Sequence, residues 1–513
     1  MNIKVSNRVY LDKAHLSTSV FQQIKKACTV SNPEFFKKRA MGYWVGNVPQ
    51  HIRTYTDDEK QISVALGQLK AIVKILEENK VAYKIIDKRY KSENSLGLEF
   101  KSDFELSEHQ TKLADIVLEK KNGYFVAPCG TGKTVMALYT VAKINQPTIF
   151  VVHNTLLMEQ LVEAVHTFLG VDYKAIGTIG GSSKELNKTA KGKFKDITVA
   201  MIQSLKKKMG KIESGRFGCV VLDEAHHAPA STFLESIDRF DSLYRIGMTA
   251  TPTRKDGKSF FIPHIFGEQL LKIDGDLAEE MGRIVPVNVY LAATDFNFDY
   301  ENNDAIDLYL EKGEITSEQH KLITNNTINK KSFIESRNLK FNSYHVMTET
   351  ISENKERNKI VIKLLLKLAR LDKKILIMCK TRNEVLFLYG LLIKLGFDPC
   401  YALGGTKYKT QSSTALTEFK VGIKKILVAT ISYVGEGVDV PSVNVGVITS
   451  PVSSKNLTLL TQIIGRIRRT APGKTESDFY YIYDRNVPIL ATVKKYFTTH
   501  YDNVETIDEG ENK

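Results

Sequence analysis

The run Ala127-Pro128-Cys129-Gly130-Thr131-Gly132-Lys133-Thr134 joins a backbone that can turn tightly to an amine and a hydroxyl. Gly130 and Gly132 let main-chain N–H groups converge on an anion, and a helix starting after them adds partial positive charge. Such a loop cradles phosphates: Lys133 would reach the β/γ-phosphates of ATP, and the Thr134 hydroxyl would ligate Mg²⁺. The first glycine of the usual GxxxxGK[ST] pattern is replaced by Ala127. About ninety residues on, Asp223-Glu224 closes the apolar run Cys219-Val220-Val221-Leu222. Asp223 suits a Mg²⁺ ligand, and Glu224, pointing elsewhere, is the candidate general base for an attacking water. Gln110, about twenty residues before the loop, carries an amide able to read the donor and acceptor edges of adenine. Read alone, the loop also fits an ordinary glycine-rich βα turn, and Gln110 a helix-surface amide.

The surrounding elements favour the chemical reading. Gly123-Tyr124-Phe125-Val126 reads as a buried strand before the loop, and Val135 to Ala142 as a helix after it. Ser107 is placed to cap the helix that carries Gln110. Thr148–Val152, Ile197–Met201, Cys219–Leu222 and Tyr244–Met248 then read as strands alternating with helical stretches, and Ala175 to Ser182 as a flexible turn. Alternation of this kind predicts a parallel sheet covered on both faces, with function at the carboxyl ends of its strands.

The order Ala-Pro-Cys-Gly-Thr-Gly-Lys-Thr, Asp-Glu-Ala-His, Thr-Ala-Thr-Pro resembles motifs I, II and III of superfamily 2 helicases. The resemblance runs over about residues 104–485 and implies two tandem RecA-like α/β motor domains around ATP. It makes Pro128, Cys129, Gly130, Thr131, Gly132, Lys133 and Thr134 the nucleotide loop, with Gln110 as the adenine reader. It makes Thr249, Ala250 and Thr251 the residues that couple ATP state to strand grip. His153, Asn154, Thr155, Gly181, Gln203 and Arg254 match nucleic-acid-contacting positions of the first motor domain. In the second, Lys380, Thr381 and Thr430 take that part. Gly435 to Pro441, with Gly437 and Asp439, resembles motif V. Gln462 to Arg469 resembles motif VI, so Gln462, Arg466 and Arg469 are implied in catalysis. With Arg466 and Arg469 three apart on one helical face, both would reach the γ-phosphate, while Arg468 would face solvent or nucleic acid. Ile463 stands where many relatives carry Arg. Thr253-Arg254-Lys255-Asp256-Gly257 is typical of DNA-directed members, including XPB-like helicases, phage recombination helicases and restriction-enzyme motor subunits.

Composition is consistent with this. The chain has 513 residues, a net charge of +14, and 42% hydrophobic residues. Its five cysteines are scattered without a CxxC. This argues against a disulfide framework or zinc and for a reducing compartment. No run is long enough to span a membrane, so a cytoplasmic protein of a bacterial or phage-infected cell is expected, without a membrane partner. Residues 1–100 hold 17 Lys/Arg against 10 Asp/Glu. There, Pro33 to Arg39 and Tyr43 to Asn47 interleave aromatic with basic and polar residues. Such mixtures stack bases and hold phosphates, unless Phe35, Phe36 and Trp44 are simply core. The predicted divisions are a basic α+β accessory domain at 1–95, a motor domain at 96–290, a connecting helical region at 291–370, a second motor domain at 371–495, and an acidic disordered tail at 496–513.

The expected function is an ATP-dependent DNA helicase that remodels forks or four-way junctions. It would work on a single-stranded tracking strand and branched duplex, with other recombination or replication proteins as possible associates. Alternatives are an RNA-directed or transcript-release ATPase, the motor subunit of a restriction or nuclease complex, and a phosphate-binding module without turnover.

Overall fold

The computed structural model describes residues 1–40, 42, 44–128, 130–180, 194–208, 212–225, 236–250, 257–296, 310, 316–325, 351, 354–435, 440–452, 457–487 and 491–508. They form two compact units, Met1–Met281 and Gly282–Lys513.

The first unit begins with a five-stranded sheet in the order Tyr55–Asp57, Gln61–Ala65, Arg8–Asp12, Asn2–Val5, Lys84–Asp87. Its alternating strands turn Ile3, Val5, Val9, Leu11, Ile62 and Val64 to one face. The helices Thr18–Ala27 and Leu69–Glu78 cover that face with Val20, Ile24, Ile72 and Leu76 at helical spacing. Ser17 caps the first helix by accepting from the Val20 N–H at 3.3 Å.

This small sheet is fastened to the larger one that follows. Gly67 sits so close to the helix Phe261–Phe266 and its end that an added Cβ would lie 2.2 Å from the Pro263 carbonyl oxygen. Asn7 donates to the Asp238 carbonyl at 2.7 Å, and the Tyr90 and Leu243 backbones bond reciprocally with Asp241 and Tyr90.

The larger sheet has seven parallel strands, ordered Ile176–Ile179, Ile197–Met201, Thr148–Val152, Cys219–Leu222, Tyr244–Thr249, Asn122–Val126, Gln269–Lys272. Ile176–Ile179 is therefore a strand, where a flexible turn is expected from its glycine. Parallel pairing with Ile197–Ala200 supplies the hydrogen bonds that override Gly177. The edge strand Gln269–Lys272 has no distinct signal in the sequence.

The second unit has its own seven-stranded parallel sheet: Pro399–Ala402, Ile426–Thr430, Ile375–Cys379, Val445–Ile448, Ser477–Asp484, Val287–Thr294, Val504–Ile507. Both faces are apolar, as a doubly covered sheet requires. Leu376 and Met378 join one core, and Ile375, Ile377 and Cys379 the other.

Three expected boundaries shift. Val287–Thr294 belongs to this second sheet, rather than partly closing the first motor domain. Helix Lys355–Ala369 packs Val361, Leu364, Leu365 and Leu368 into a core of the same unit, so it is not merely a connector. Val504–Ile507 pairs along Val289–Ala292, so the acidic stretch contains an ordered edge strand.

Candidate functional site

Three neighbouring strands of the first large sheet end together. Asn122–Val126 runs into the glycine-rich loop, Tyr244–Thr249 into Ala250, and Cys219–Leu222 into Asp223-Glu224. The Ala127 N–H donates to the Thr249 carbonyl at 3.1 Å, and the Ala225 N–H to the Met248 carbonyl at 3.0 Å. These bonds lock the three strand ends in register.

The loop has the backbone the sequence calls for. Gly130 and Gly132 lie at φ +95° and +83°, conformations that suit glycine. Gly132 is the N-cap of the helix Lys133–Ile144. Thr131 Oγ1 donates to the Pro128 carbonyl at 2.8 Å, tightening the loop. Lys133 Nζ donates to the Ala127 carbonyl at 3.1 Å and to that of Pro128 at 3.4 Å, so its amine is folded over the loop.

Gln110 is 2% exposed, and a Cβ added to Gly132 would lie 2.9 Å from its Nε2. The Gln110 side-chain Oε1 accepts from the Ser107 N–H at 3.0 Å. The amide thus caps its own helix while lying against the glycine-rich loop.

Asp223 extends its strand by donating its N–H to the Val151 carbonyl at 2.9 Å, and its Oδ1 accepts from the Glu224 N–H at 2.8 Å. Some of its residue surface is exposed. Even so, burial around the carboxyl, with the Glu224 charge beside it, pushes its pKa up to about 7, and Lys133 opposes this. Glu224 has φ +50°, a left-handed backbone for a non-glycine residue. Strain of this kind persists where the surroundings over-determine it, often at functional positions.

The hard-oxygen pair of Thr134 hydroxyl and Asp223 carboxylate is of the kind that takes Mg²⁺. A divalent ion there would reverse the upward push on Asp223. These residues therefore fit the ion. Among the described residues there is no group of three or more His, Cys, Asp or Glu poised for a metal.

A second group gathers at the ends of Thr148–Val152 and Ile197–Met201. Asn154 caps the helix Thr155–Leu169, its Oδ1 accepting from the Leu157 N–H at 2.8 Å. Its Nδ2 lies 3.3 Å from His153 Nε2. Gln203 Nε2 donates to the His153 carbonyl at 3.4 Å, and Thr155 Oγ1 to Met201 Sδ at 3.5 Å. His153, Asn154, Thr155 and Gln203 are thus brought together.

In the second unit, Cys379 and Thr430 pair directly, which sets Lys380, Thr381 and Thr430 side by side. Thr381 caps the helix Arg382–Lys394 by accepting from the Glu384 N–H at 3.2 Å. No local pattern in the sequence marks Glu384. It accepts from the Thr449 hydroxyl at 2.6 Å and from that of Ser450 at 2.5 Å, while Ser450 Oγ accepts from the Lys380 N–H at 2.7 Å.

The motif VI geometry differs from expectation. The helix Leu457–Ile467 ends before Arg469, which lies in a backbone bridge opposite Ile284. Arg466 and Arg469 therefore do not share a helical face. The bridge supplies the reason: Val285 N–H donates to the Arg468 carbonyl at 2.7 Å, and Arg468 Nε returns a bond to the Val285 carbonyl at 2.9 Å. Arg468 is engaged with protein, not simply turned to solvent. Arg466 Nη1 donates to the Val434 carbonyl, and Gln462 is buried. Cys129, Gly181, Thr251, Arg254, Gly437 and Asp439 lie outside the described residues. Among those described, no helix is long and apolar enough to cross a membrane.

Residues 65–254 match the family described as "Type III restriction enzyme, res subunit", and residues 356–471 match "Helicase conserved C-terminal domain". The chain is 26% identical over 384 residues to the "DNA 3'-5' translocase XPB2" of Sulfurisphaera tokodaii, covering 72% of this chain and 80% of the relative. It is 26% identical over 374 residues to the "Putative ATP-dependent RNA helicase L396" of Acanthamoeba polyphaga mimivirus. That match covers 71% of this chain but only 61% of the viral protein's length. In fold, it resembles a fragment of a putative HsdR subunit of a type I restriction enzyme from Vibrio vulnificus. The TM-score is 0.52 at 16% identity, over 80% of this chain and 70% of that one.

Proposed function

Since the chain belongs to the superfamily 2 helicases, a family of ATP-hydrolysing motors, we propose that it is a DNA-dependent ATPase that remodels or unwinds branched DNA such as forks and four-way junctions. The observation that carries the ATPase part is the convergence of three strand ends on Lys133, Asp223-Glu224 and Thr249, with Gln110 against the same loop.

In this reading, backbone N–H groups of the loop and Lys133 hold the phosphates of ATP. Gln110 exchanges its capping bond for the adenine edge. Glu224 takes the proton of the attacking water. Thr134 and Asp223 would hold Mg²⁺, which would neutralise charge on the phosphates. For Gln462, Arg466 and Arg469 the reading keeps the catalytic roles the resemblance implies. Thr249, Ala250 and Thr251 couple nucleotide state to grip. His153, Asn154, Thr155, Gly181, Gln203, Arg254, Lys380, Thr381 and Thr430 hold the strand through its phosphates, so binding falls steeply with salt and depends little on sequence.

The choice of DNA is supported by the archaeal relative's name, the Arg254–Gly257 run and the +14 net charge. An RNA-directed activity is the second reading, favoured by the name of the mimivirus relative. Steady-state ATPase with Mg²⁺, titrated with single-stranded DNA, duplex DNA, a four-way junction and single-stranded RNA, tests both. Strongest stimulation by junction or fork DNA is expected; preferential stimulation by RNA overturns the first reading in favour of the second.

A further inference from the structure

Trp44 is the single tryptophan of the chain, and 87% of it is exposed. Leaving so large an apolar side chain in water forfeits burial free energy of about 25 cal/mol per Å². Its seat is nonetheless built. The Asn32 side-chain amide donates to the Pro49 carbonyl at 2.8 Å, the Asn32 N–H to that of Gln50 at 2.9 Å, and the Val48 N–H to that of Val45 at 3.0 Å. Gly46 has φ +51°, and a Cβ there would lie 2.8 Å from Trp44 Cζ3. The indole is thus folded over the Gly46 backbone, supported there and open to solvent elsewhere.

The helix before it, Pro33–Ala40, buries none of its residues and carries Lys37, Lys38 and Arg39 in its last turn. Phe36 on that helix is 40% exposed and packs edge-on to Phe35 with centroids 5.5 Å apart. Its one acid, Glu34, is shared by Lys38 at 3.3 Å and Lys258 at 3.4 Å. A Cβ on Gly257 would lie 3.0 Å from Pro33 Cβ and Cγ. The basic helix therefore touches the large-sheet domain just after Arg254-Lys255-Asp256. An exposed aromatic supported on backbone, five to seven residues after a run of three cations in the chain, offers what is needed to stack a base while its phosphates are held.

We propose that Trp44 stacks on an unpaired nucleotide of single-stranded DNA, with Lys37, Lys38 and Arg39 taking the flanking phosphates. This rests on the DNA-directed reading above and names the residue through which the N-terminal domain meets its substrate.

Because Trp44 is the only tryptophan, its emission in the full chain reports on this contact alone. The probe is an oligothymidylate, with binding followed separately by anisotropy of a fluorescein-labelled copy. Tryptophan emission is expected to be quenched in step with binding. Trp44→Ala is expected to weaken binding about tenfold, within the range of a base–aromatic stack, and Trp44→Phe to recover most of that loss. Binding with unchanged tryptophan emission overturns the proposal and leaves the DNA-directed reading standing. Failure of the labelled DNA to bind overturns that reading along with the proposal. Quenching by oligouridylate but not oligothymidylate overturns the choice of DNA.

Discussion

Arg245 Nη1 donates to Asp238 Oδ1 at 3.0 Å, and neither side chain has appreciable contact with water. Arg8 of the N-terminal sheet reaches the other oxygen of the same carboxylate at 2.5 Å. Arg245 Nη2 also donates to the Asn7 carbonyl at 3.1 Å. Burial pushes the Arg245 pKa down, and the Asp238 charge resists that. One buried acid thus joins the N-terminal sheet to the strand that ends at Thr249. Asp238→Ala would leave two guanidinium groups without their countercharge. It should cost about 3–5 kcal/mol, the usual range for removing one partner of a buried ion pair. Urea unfolding of the full chain measures this, and an unshifted midpoint would mean that the carboxylate is dispensable.

Gly67 offers a steric test of the same junction. An added methyl would meet the Pro263 carbonyl oxygen at 2.2 Å and the Gly267 nitrogen at 2.4 Å, both backbone atoms that cannot swing aside. Gly67→Ala should lower stability by about 1–3 kcal/mol, as overpacking does. It should also speed proteolysis within residues 88–107. An unchanged digestion pattern would show that the small sheet docks by other contacts.

His264 lies on the helix that meets Gly67, packed edge-on to Phe260 with centroids 5.5 Å apart. Burial lowers its pKa from 6.5 to about 4. The folded chain keeps the imidazole neutral, while the unfolded chain takes up a proton below about 6.5. This group's contribution to stability is therefore full above pH 6.5 and is lost as pH falls toward 4. His264→Phe should flatten the dependence of melting temperature on pH in that window. An equal slope in the variant would assign acid sensitivity to other groups.

Two substitutions, one in the glycine-rich loop and one after the strand Cys219–Leu222, separate binding from turnover at the proposed ATP site. Lys133→Ala should abolish ATP hydrolysis, since its amine is the one cation folded against the loop's carbonyls at 3.1 and 3.4 Å among the described contacts. Glu224→Gln should retain ATP binding while slowing hydrolysis about 10²–10⁴-fold, the range for loss of a general base. Calorimetric ATP binding and phosphate release measure the two quantities. Loss of binding in Glu224→Gln would remove the general-base assignment.

The strand-end motifs were legible because each couples a local apolar run to a polar residue directly after it, as in Cys219–Leu222 followed by Asp223. What was not legible depends on distant partners. Arg469 leaves its helix because residues 284–285 supply competing backbone bonds. Trp44 could be core or surface by composition alone, and only the surrounding chain leaves it exposed. Arg357 carries no local signal of burial in the sequence. It is instead 2% exposed and paired with Asp484 at 2.7 Å, whose carboxylate also accepts from Thr294 Oγ1 at 2.6 Å. The same holds for Glu384, whose partners Thr449 and Ser450 lie 65 and 66 residues away in the chain.

The placement of Val287–Thr294 between Ser477–Asp484 and Val504–Ile507 has a consequence in time. Thr294 and Asp484 are 190 residues apart in sequence, yet they share a hydrogen bond. A ribosome adding about 5–20 residues per second would leave this eight-residue strand without its neighbours for roughly 10–40 seconds. Its Val287, Val289 and Leu291 side chains and both rows of backbone groups would be available to other nascent chains throughout. The second unit should therefore be slower to mature, and more dependent on chaperones during synthesis, than the first unit's small N-terminal sheet, whose five strands all lie within residues 2–87.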